Sequence, residues 1–340
     1  MKDEGKVMTV QGPADPEPMG RVLMHEHLHP DCWDWENDRM PEEAPISEER
    51  RALLMKEVIP YLKKLNDHGG HAFVEATPPP FRAWPDFYVE ASRAAGVHIV
   101  LSTGFYREVE VGTYWVSEPE GAIWEFAREG SVGEMAEFCI RELNEGVHGT
   151  DVRAGVIKLA SSAAEFTEAE EKAFRAGARA QKASGAHITT HCTAHGAEET
   201  QLRLLDEEGV PLSRVVIGHT ASHLADPDRR KNCLKWMERG ANFLPTNLNV
   251  SGDLETWRPL VEAIHEVFDA GHGDKLCFGL DWAFVSESGP FGPCSFMPPP
   301  PFLYMFTDTL PAFRELGLTP EEEETIMAGN PQRILPLREV

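Results

Sequence analysis

Gly20-Arg21-Val22-Leu23-Met24-His25-Glu26-His27-Leu28 is the stretch that decides the fold of this 340-residue chain. A short apolar run passes without a break into a His-Glu-His triplet. An open, doubly wound sheet usually follows its first strand with a glycine-rich phosphate turn. Here the first strand delivers two imidazoles instead. Side chains alternate along a strand, so His25 and His27 are expected on one face, pointing inward at the strand's tip.

Further apolar runs follow the first (22–24), at 72–76, 99–103, 155–159, 187–190, 215–218, 241–245 and 276–279. They are continuous and rich in Val and Ile, as strands buried on both faces are. Helical spacing fills the gaps, at 48–66, 87–95, 122–144, 168–184, 197–208, 227–239, 254–269 and 320–326. In 48–66 the apolar face is Leu53, Leu54, Val58, Tyr61, Leu62 and Leu65, with Ser47 as its cap and Gly69-Gly70 as its stop. Thr167 and Thr319 are expected to cap two later helices.

Strict alternation of strand and helix means parallel strands with crossover helices, and eight such units close into a barrel. The expected fold is a single α/β domain over residues 1–340, a (β/α)8 TIM barrel. Residues 1–20 form an N-terminal capping hairpin around 7–11. Three connections are long, after strands 1, 3 and 8 (29–46, 105–121 and 282–302), and all lie at the mouth where barrel enzymes keep their sites. The last includes four consecutive prolines, 298–301, and suits a stiff substrate wall.

The formal net charge is −24. Such a surface repels phosphate backbones and anionic lipid, so neither nucleic acid nor membrane is an expected partner. The six cysteines are scattered, without the paired spacing of a disulfide framework. No apolar stretch is long enough to span a bilayer, and the opening Met1-Lys2-Asp3-Glu4-Gly5-Lys6 is not that of a signal peptide, so a cytoplasmic protein is expected.

The chemistry-bearing residues recur at strand tips. His25 and His27 end the first strand, His191 the fifth, His219 the sixth and Asp281 the eighth. Imidazole and carboxylate at one level of a barrel point to a metal site. Lys158, in Gly155-Val156-Ile157-Lys158-Leu159, would sit deep inside the same barrel. A buried ammonium beside metal cations is untenable, so Lys158 is either neutral or converted by carbon dioxide to a carboxylate-like carbamate.

Together these residues resemble the phosphotriesterase-like branch of the amidohydrolase superfamily. The resemblance runs through 20–28, Ser102-Thr103-Gly104-Phe105-Tyr106, 155–158, Thr189-Thr190-His191, Arg214-Val215-Val216-Ile217-Gly218-His219, Asp281-Trp282 and Gly329-Asn330-Pro331. It implies a binuclear hydrolase with two divalent ions. His25, His27 and Asp281 would hold the more buried ion, His191 and His219 the more exposed one. An N6-carboxylated Lys158 and a hydroxide would bridge them. Zn is the first choice, while Mn, Co, Ni or Fe fit the same ligands. Asp281 would take the proton of the attacking hydroxide. Tyr106 falls where lactonase members carry a tyrosine, and either bonds the substrate oxygen or packs. A homodimer acting on a small molecule is also implied.

Departures from the family pattern fall in the substrate pocket. The acidic relay residue expected after the strand-six histidine is absent, and Ser222 or His223 stands near its place. Neutral Pro245-Thr246-Asn247 replaces a basic motif after strand seven, and Glu75-Ala76-Thr77-Pro78-Pro79-Pro80-Phe81-Arg82 follows strand two. Arg82, Arg107 and Asn247 are candidates for holding a substrate anion. The leading expectation is a lactonase, its partly apolar substrate met by Trp33, Trp35, Trp115, Trp282, Phe284, Phe291, Phe296 and Phe302. N-acyl amide and phosphotriester hydrolysis are the alternatives, and a binding protein that lost its chemistry is a further one that metal analysis would expose.

Overall fold

The computed structural model describes residues 3–28, 47–79, 82–108, 123–250, 252–284 and 302–339. The greater part of the three long connections lies outside these residues. So do Trp33, Trp35, Trp115, Phe291, Phe296 and the prolines at 298–301.

A hairpin of β1 (Val7–Thr9) and β2 (Gly12–Ala14) comes first among the described elements. Then come β3 (Arg21–Glu26), β4 (Gly70–Glu75), β5 (His98–Gly104), β6 (Val156–Ala160), β7 (His187–His191), β8 (Val215–Gly218) and β9 (Asn242–Leu244). These seven form one sheet in sequential order, every pair parallel.

The eighth run is not a regular strand, yet it closes the barrel. Cys277 N–H donates to Phe243 O at 3.1 Å on the β9 side. On the β3 side Met24 N–H donates to Phe278 O at 2.9 Å, and Asp281 N–H to His25 O at 2.9 Å. Its irregularity has a local cause. The buried Glu26 carboxylate accepts Leu280 N–H at 2.6 Å and Trp282 N–H at 3.4 Å, taking donors a regular ladder would use. The segment also runs against β3 so closely that a Cβ on Gly279 would meet His25 N at 2.8 Å.

The core is split by the sheet. Val22, Met24, Val74, Val100, Val156, Val216, Leu244 and Cys277 fill the barrel interior. Leu23, Phe73, Ile99, Leu101, Ile157, Ile188, Ile217 and Phe278 face outward to the helices. Along most strands these two sets alternate with the pleat.

The helices are α1 (Glu48–Asp67), α2 (Pro85–Ala95), α3 (Ile123–Glu129), α4 (Val132–Asn144), α5 (Glu168–Ser184), α6 (Ala197–Glu207), α7 (Ala221–Ala225), α8 (Pro227–Glu238), α9 (Arg258–Asp269), α10 (Leu310–Glu315), α11 (Pro320–Glu324) and α12 (Asn330–Ile334). Ser47, Thr167 and Thr319 cap α1, α5 and α11, the last two through reciprocal capping boxes. The single helix expected at 122–144 is two. Ser131 and Glu134 form a capping box after Gly130, restarting the helix as α4. Gly69, with φ 94°, ends the turn after α1, whereas Gly70 already belongs to β4.

Candidate metal centre

The expected site residues lie at or just past the mouth ends of their strands, with Lys158 deeper, in the middle of β6, but simple alternation does not account for all of them. Met24 faces the barrel interior, so an unbroken pleat would send His25 outward. A register shift of β3 against β4, between Leu23 and Glu26, changes the phase. His25 Nε2 consequently meets Lys158 Nζ inside the barrel at 2.6 Å. At β8, Val216 faces in and Ile217 out, and His219 takes a left-handed φ of 61° beyond them.

Asp281 is the hub. Its Oδ1 lies 3.4 Å from His25 Nε2 and 3.1 Å from His27 Nε2. Its Oδ2 lies 3.3 Å from His219 Nδ1 and accepts from Asn247 Nδ2 at 3.3 Å. The His191 and His219 rings are 4.3 Å apart, and those of His25 and His219 4.8 Å. Tyr106 packs edge-on against His191 with centroids 5.5 Å apart. The structure therefore brings His25, His27, Lys158, His191, His219, Asp281 and Tyr106 into one cluster.

This donor set fits a metal. The ligand atoms of His25, His27 and Asp281 lie within 4.8 Å of one another. His27 Nδ1 is held by Thr77 Oγ1 at 2.8 Å, leaving Nε2 for the centre. His219 Nδ1 is held by Thr246 Oγ1 at 2.7 Å, and its buried Nε2 has no hydrogen-bond partner among the described residues. A ligating histidine is usually oriented in this way, through its other ring nitrogen. Sequence reasoning missed Thr77 and Thr246. Each follows its strand by two residues, at the height of the ligands, and no motif marks a hydroxyl for this task.

Electrostatics agree with a site built for cations. Burial lowers the Lys158 pKa to about 7 despite the pull of Asp281 and Glu75. Burial, then the Lys158 charge, holds His25 well below the usual imidazole range. His219 is lowered to about 4 by burial, against Asp281. Burial works to raise the Asp281 carboxyl, but His219, the hydrogen bond from His27, and His25 overcome it and hold it well below the usual range. The His25 and His219 imidazoles are thus neutral and the Asp281 carboxyl ionised, the forms that bind a metal.

Two expectations about the pocket are corrected. Arg82 is not a substrate anchor. It is fully buried, its Nη2 bonded to Glu142 Oε1 at 2.5 Å and its Nη1 to Ser102 O. His223 does not stand beside Asp281 as a relay. It turns into the helical layer and faces Glu198 at 3.4 Å, while Ser222 is exposed. Asn247 takes the place beside Asp281. Arg107 does face the site, since its charge bears on both His191 and His219, and its guanidinium lies 5.6 Å from the Tyr106 ring centre.

The sequence matches the phosphotriesterase family over residues 5–335. The chain belongs to that family. A phosphotriesterase homology protein of Mycobacterium tuberculosis is 26% identical, with 96% of each chain covered. An N-acetyltaurine hydrolase of Tetraodon nigroviridis is 24% identical, covering 98% of this chain and 99% of the relative. Among solved structures, one described as organophosphate hydrolysis activity engineered from a weak promiscuous lactonase template superposes with a TM-score of 0.77. It is 27% identical and covers 97% of this chain and 99% of its own. The protein is a phosphotriesterase-family hydrolase with an α/β barrel fold. No helix among the described residues is long and apolar enough to cross a membrane.

Proposed function

We propose that this family member is a binuclear metal-dependent hydrolase that opens a small lactone. The reading is carried by the convergence of His25, His27, His219, Lys158 and Asp281 on one point, with His191 and Tyr106 alongside. His25, His27 and Asp281 would hold one ion and His191 and His219 a second, with N6-carboxylated Lys158 joining them. Zn suits these ligands best, and Mn, Co, Ni or Fe would be accepted. Ions held there supply Lewis acidity, ionising water near neutral pH and polarising the oxygen of the scissile group.

The chain's own residues do the rest. Asp281 presents Oδ1 to His25 and His27 and keeps Oδ2 on the side of Asn247. Oδ2 takes the proton of the attacking water and passes it to the departing oxygen. Asn247 keeps that oxygen in place. Tyr106, fixed against His191, orients the substrate oxygen through its hydroxyl.

A second reading is favoured by Arg107. A cation bearing on His191 and His219 would hold the carboxylate or sulfonate of an N-acyl amide. The N-acetyltaurine hydrolase relative acts, by its name, on such a compound.

The test is a panel of lactones, N-acyl amino acids and N-acyl sulfonates, and phosphotriesters, assayed with metal-loaded protein. Lactone turnover is expected, lost in Asp281→Asn. Turnover of the amides alone replaces the first reading with the second. A fully metal-loaded chain that turns over no member of the panel overturns both.

A further inference from the structure

A second group of ligand atoms lies outside the barrel, behind the site. Cys192, Glu198 and His223 bring a thiol, a carboxylate oxygen and a ring nitrogen within 4.8 Å of one another, all three side chains buried. Cys192 follows His191 at the tip of β7 and packs with the outer core. Glu198 lies in the first turn of α6, and His223 lies in α7.

These groups satisfy one another only in part. His223 Nε2 is 3.4 Å from Glu198 Oε2, a long contact without good alignment, while Asn232 also reaches the carboxylate. His223 Nδ1 also has no hydrogen-bond partner among the described residues. Buried polar groups left in this state are rare and call for an explanation. Nucleophilic catalysis by the thiol is excluded by access, since Cys192 and His223 are 0% and Glu198 2% exposed.

We propose that Cys192, Glu198 and His223 form a structural zinc site. The separation fits. Zinc bonds of about 2.0–2.3 Å set neighbouring ligands roughly 3.3–3.7 Å apart, and the histidine and glutamate atoms already stand 3.4 Å apart. The charge fits as well. On binding, the Cys192 Sγ–H gives its proton to solvent, and the thiolate and carboxylate together neutralise the dication beside a neutral imidazole. The neighbouring Cys233 thiol, buried in α8 and raised to about 12 by burial and then by Glu198, stays protonated and outside this group of three. A thiolate in the set selects zinc over hard cations such as magnesium. The ion would tie the segments that follow His191 and His219 to each other, fixing two histidines of the mouth from behind.

Cobalt substitution tests this, because the His, Asp and Lys centre at the mouth contains no sulfur. The full chain is produced with cobalt in place of zinc. A near-ultraviolet thiolate-to-cobalt charge-transfer band is expected in the parent and lost in Cys192→Ser. Zinc-loaded His223→Gln should carry about one zinc fewer per chain than the parent. Absence of the band in the cobalt-loaded parent overturns the proposal, and so does a band that survives Cys192→Ser. The parent spectrum decides even if the variants fold poorly, and its failure leaves the reading of the mouth centre standing.

Discussion

Asn247 donates its side-chain amide to Asp281 Oδ2 at 3.3 Å, and both residues hold a left-handed backbone, with φ of 57° and 59°. They leave adjacent staves of the barrel, β9 and the irregular eighth. A left-handed backbone costs an L-residue about 1–2 kcal/mol. Asn and Asp bear it better than most because their short polar chains bond locally. Strain of this kind persists where the surroundings over-determine it, and here it sets the one Asp281 oxygen not shared with His25 and His27.

Asn247→Gly removes the amide while keeping the backbone relaxed. A hydrogen bond to a charged group is worth about 1.5 kcal/mol, so kcat should fall about tenfold with little change in KM. Asn247→Ala should lose the same factor in kcat and also melt at a lower temperature, because it adds strain. Steady-state kinetics and thermal melts separate the two effects. A glycine variant with the parent's kcat would show that the amide serves conformation alone.

Much of this fold is legible in the chain because its strands are buried on both faces and its helices carry their caps in the sequence. Thr167 with Glu170 and Thr319 with Glu322 mark helix starts in both the sequence and the structure. Ser131 with Glu134 carries the same signal, and it breaks a stretch that apolar spacing alone reads as continuous. The eighth stave is less legible, because a side chain far away in sequence, Glu26, occupies its backbone donors. The inward turn of His25 depends on a register shift that no periodicity announces. His191 and His219 are legible as strand tips, and the family resemblance adds only which ion each would hold. The Cys192, Glu198 and His223 group stayed hidden because its members come from three elements and share no motif.

Arg82 and Glu142 form a buried pair that supports β5 rather than the substrate. Nη2 meets Oε1 at 2.5 Å, and Thr103 Oγ1 bonds the other carboxylate oxygen. Glu142→Ala removes the carboxylate partner of a buried guanidinium, which typically costs about 3–5 kcal/mol. The melting temperature should drop by several degrees, while KM for the preferred substrate stays close to the parent's. A large rise in KM with an unchanged melt would return Arg82 to the pocket.

His187 makes stability depend on pH. Both its ring nitrogens are buried without a hydrogen-bond partner among the described residues, and burial, then Arg214, lowers its pKa from 6.5 to about 3. The unfolded chain therefore binds the proton first. Stability is fully present above the unfolded value and is lost as pH falls toward the folded one. Linkage gives a loss of about 2 kcal/mol between pH 7 and pH 5 from this group. Denaturant melts of the parent and of His187→Leu, which has nothing to titrate, should differ in slope by that amount. Parallel curves would mean the ring finds a proton partner in the fold.

Lys158 carries the strongest demand of all. It is buried, its Nζ stands 2.6 Å from His25 Nε2, and the ligands around it are arranged for cations. A protonated amine there would oppose any dication held by these ligands, whereas a carbamate would offer anionic oxygens and offset part of the positive charge. Lys158→Ala should therefore bind fewer than the about two divalent ions expected per parent chain and lose at least about a hundredfold in kcat. Carbon-13 bicarbonate should place a carbamate resonance in the metal-loaded parent and none in the variant. Full metal content with parent turnover in Lys158→Ala would mean that the ions, if they bind, need no anion from β6.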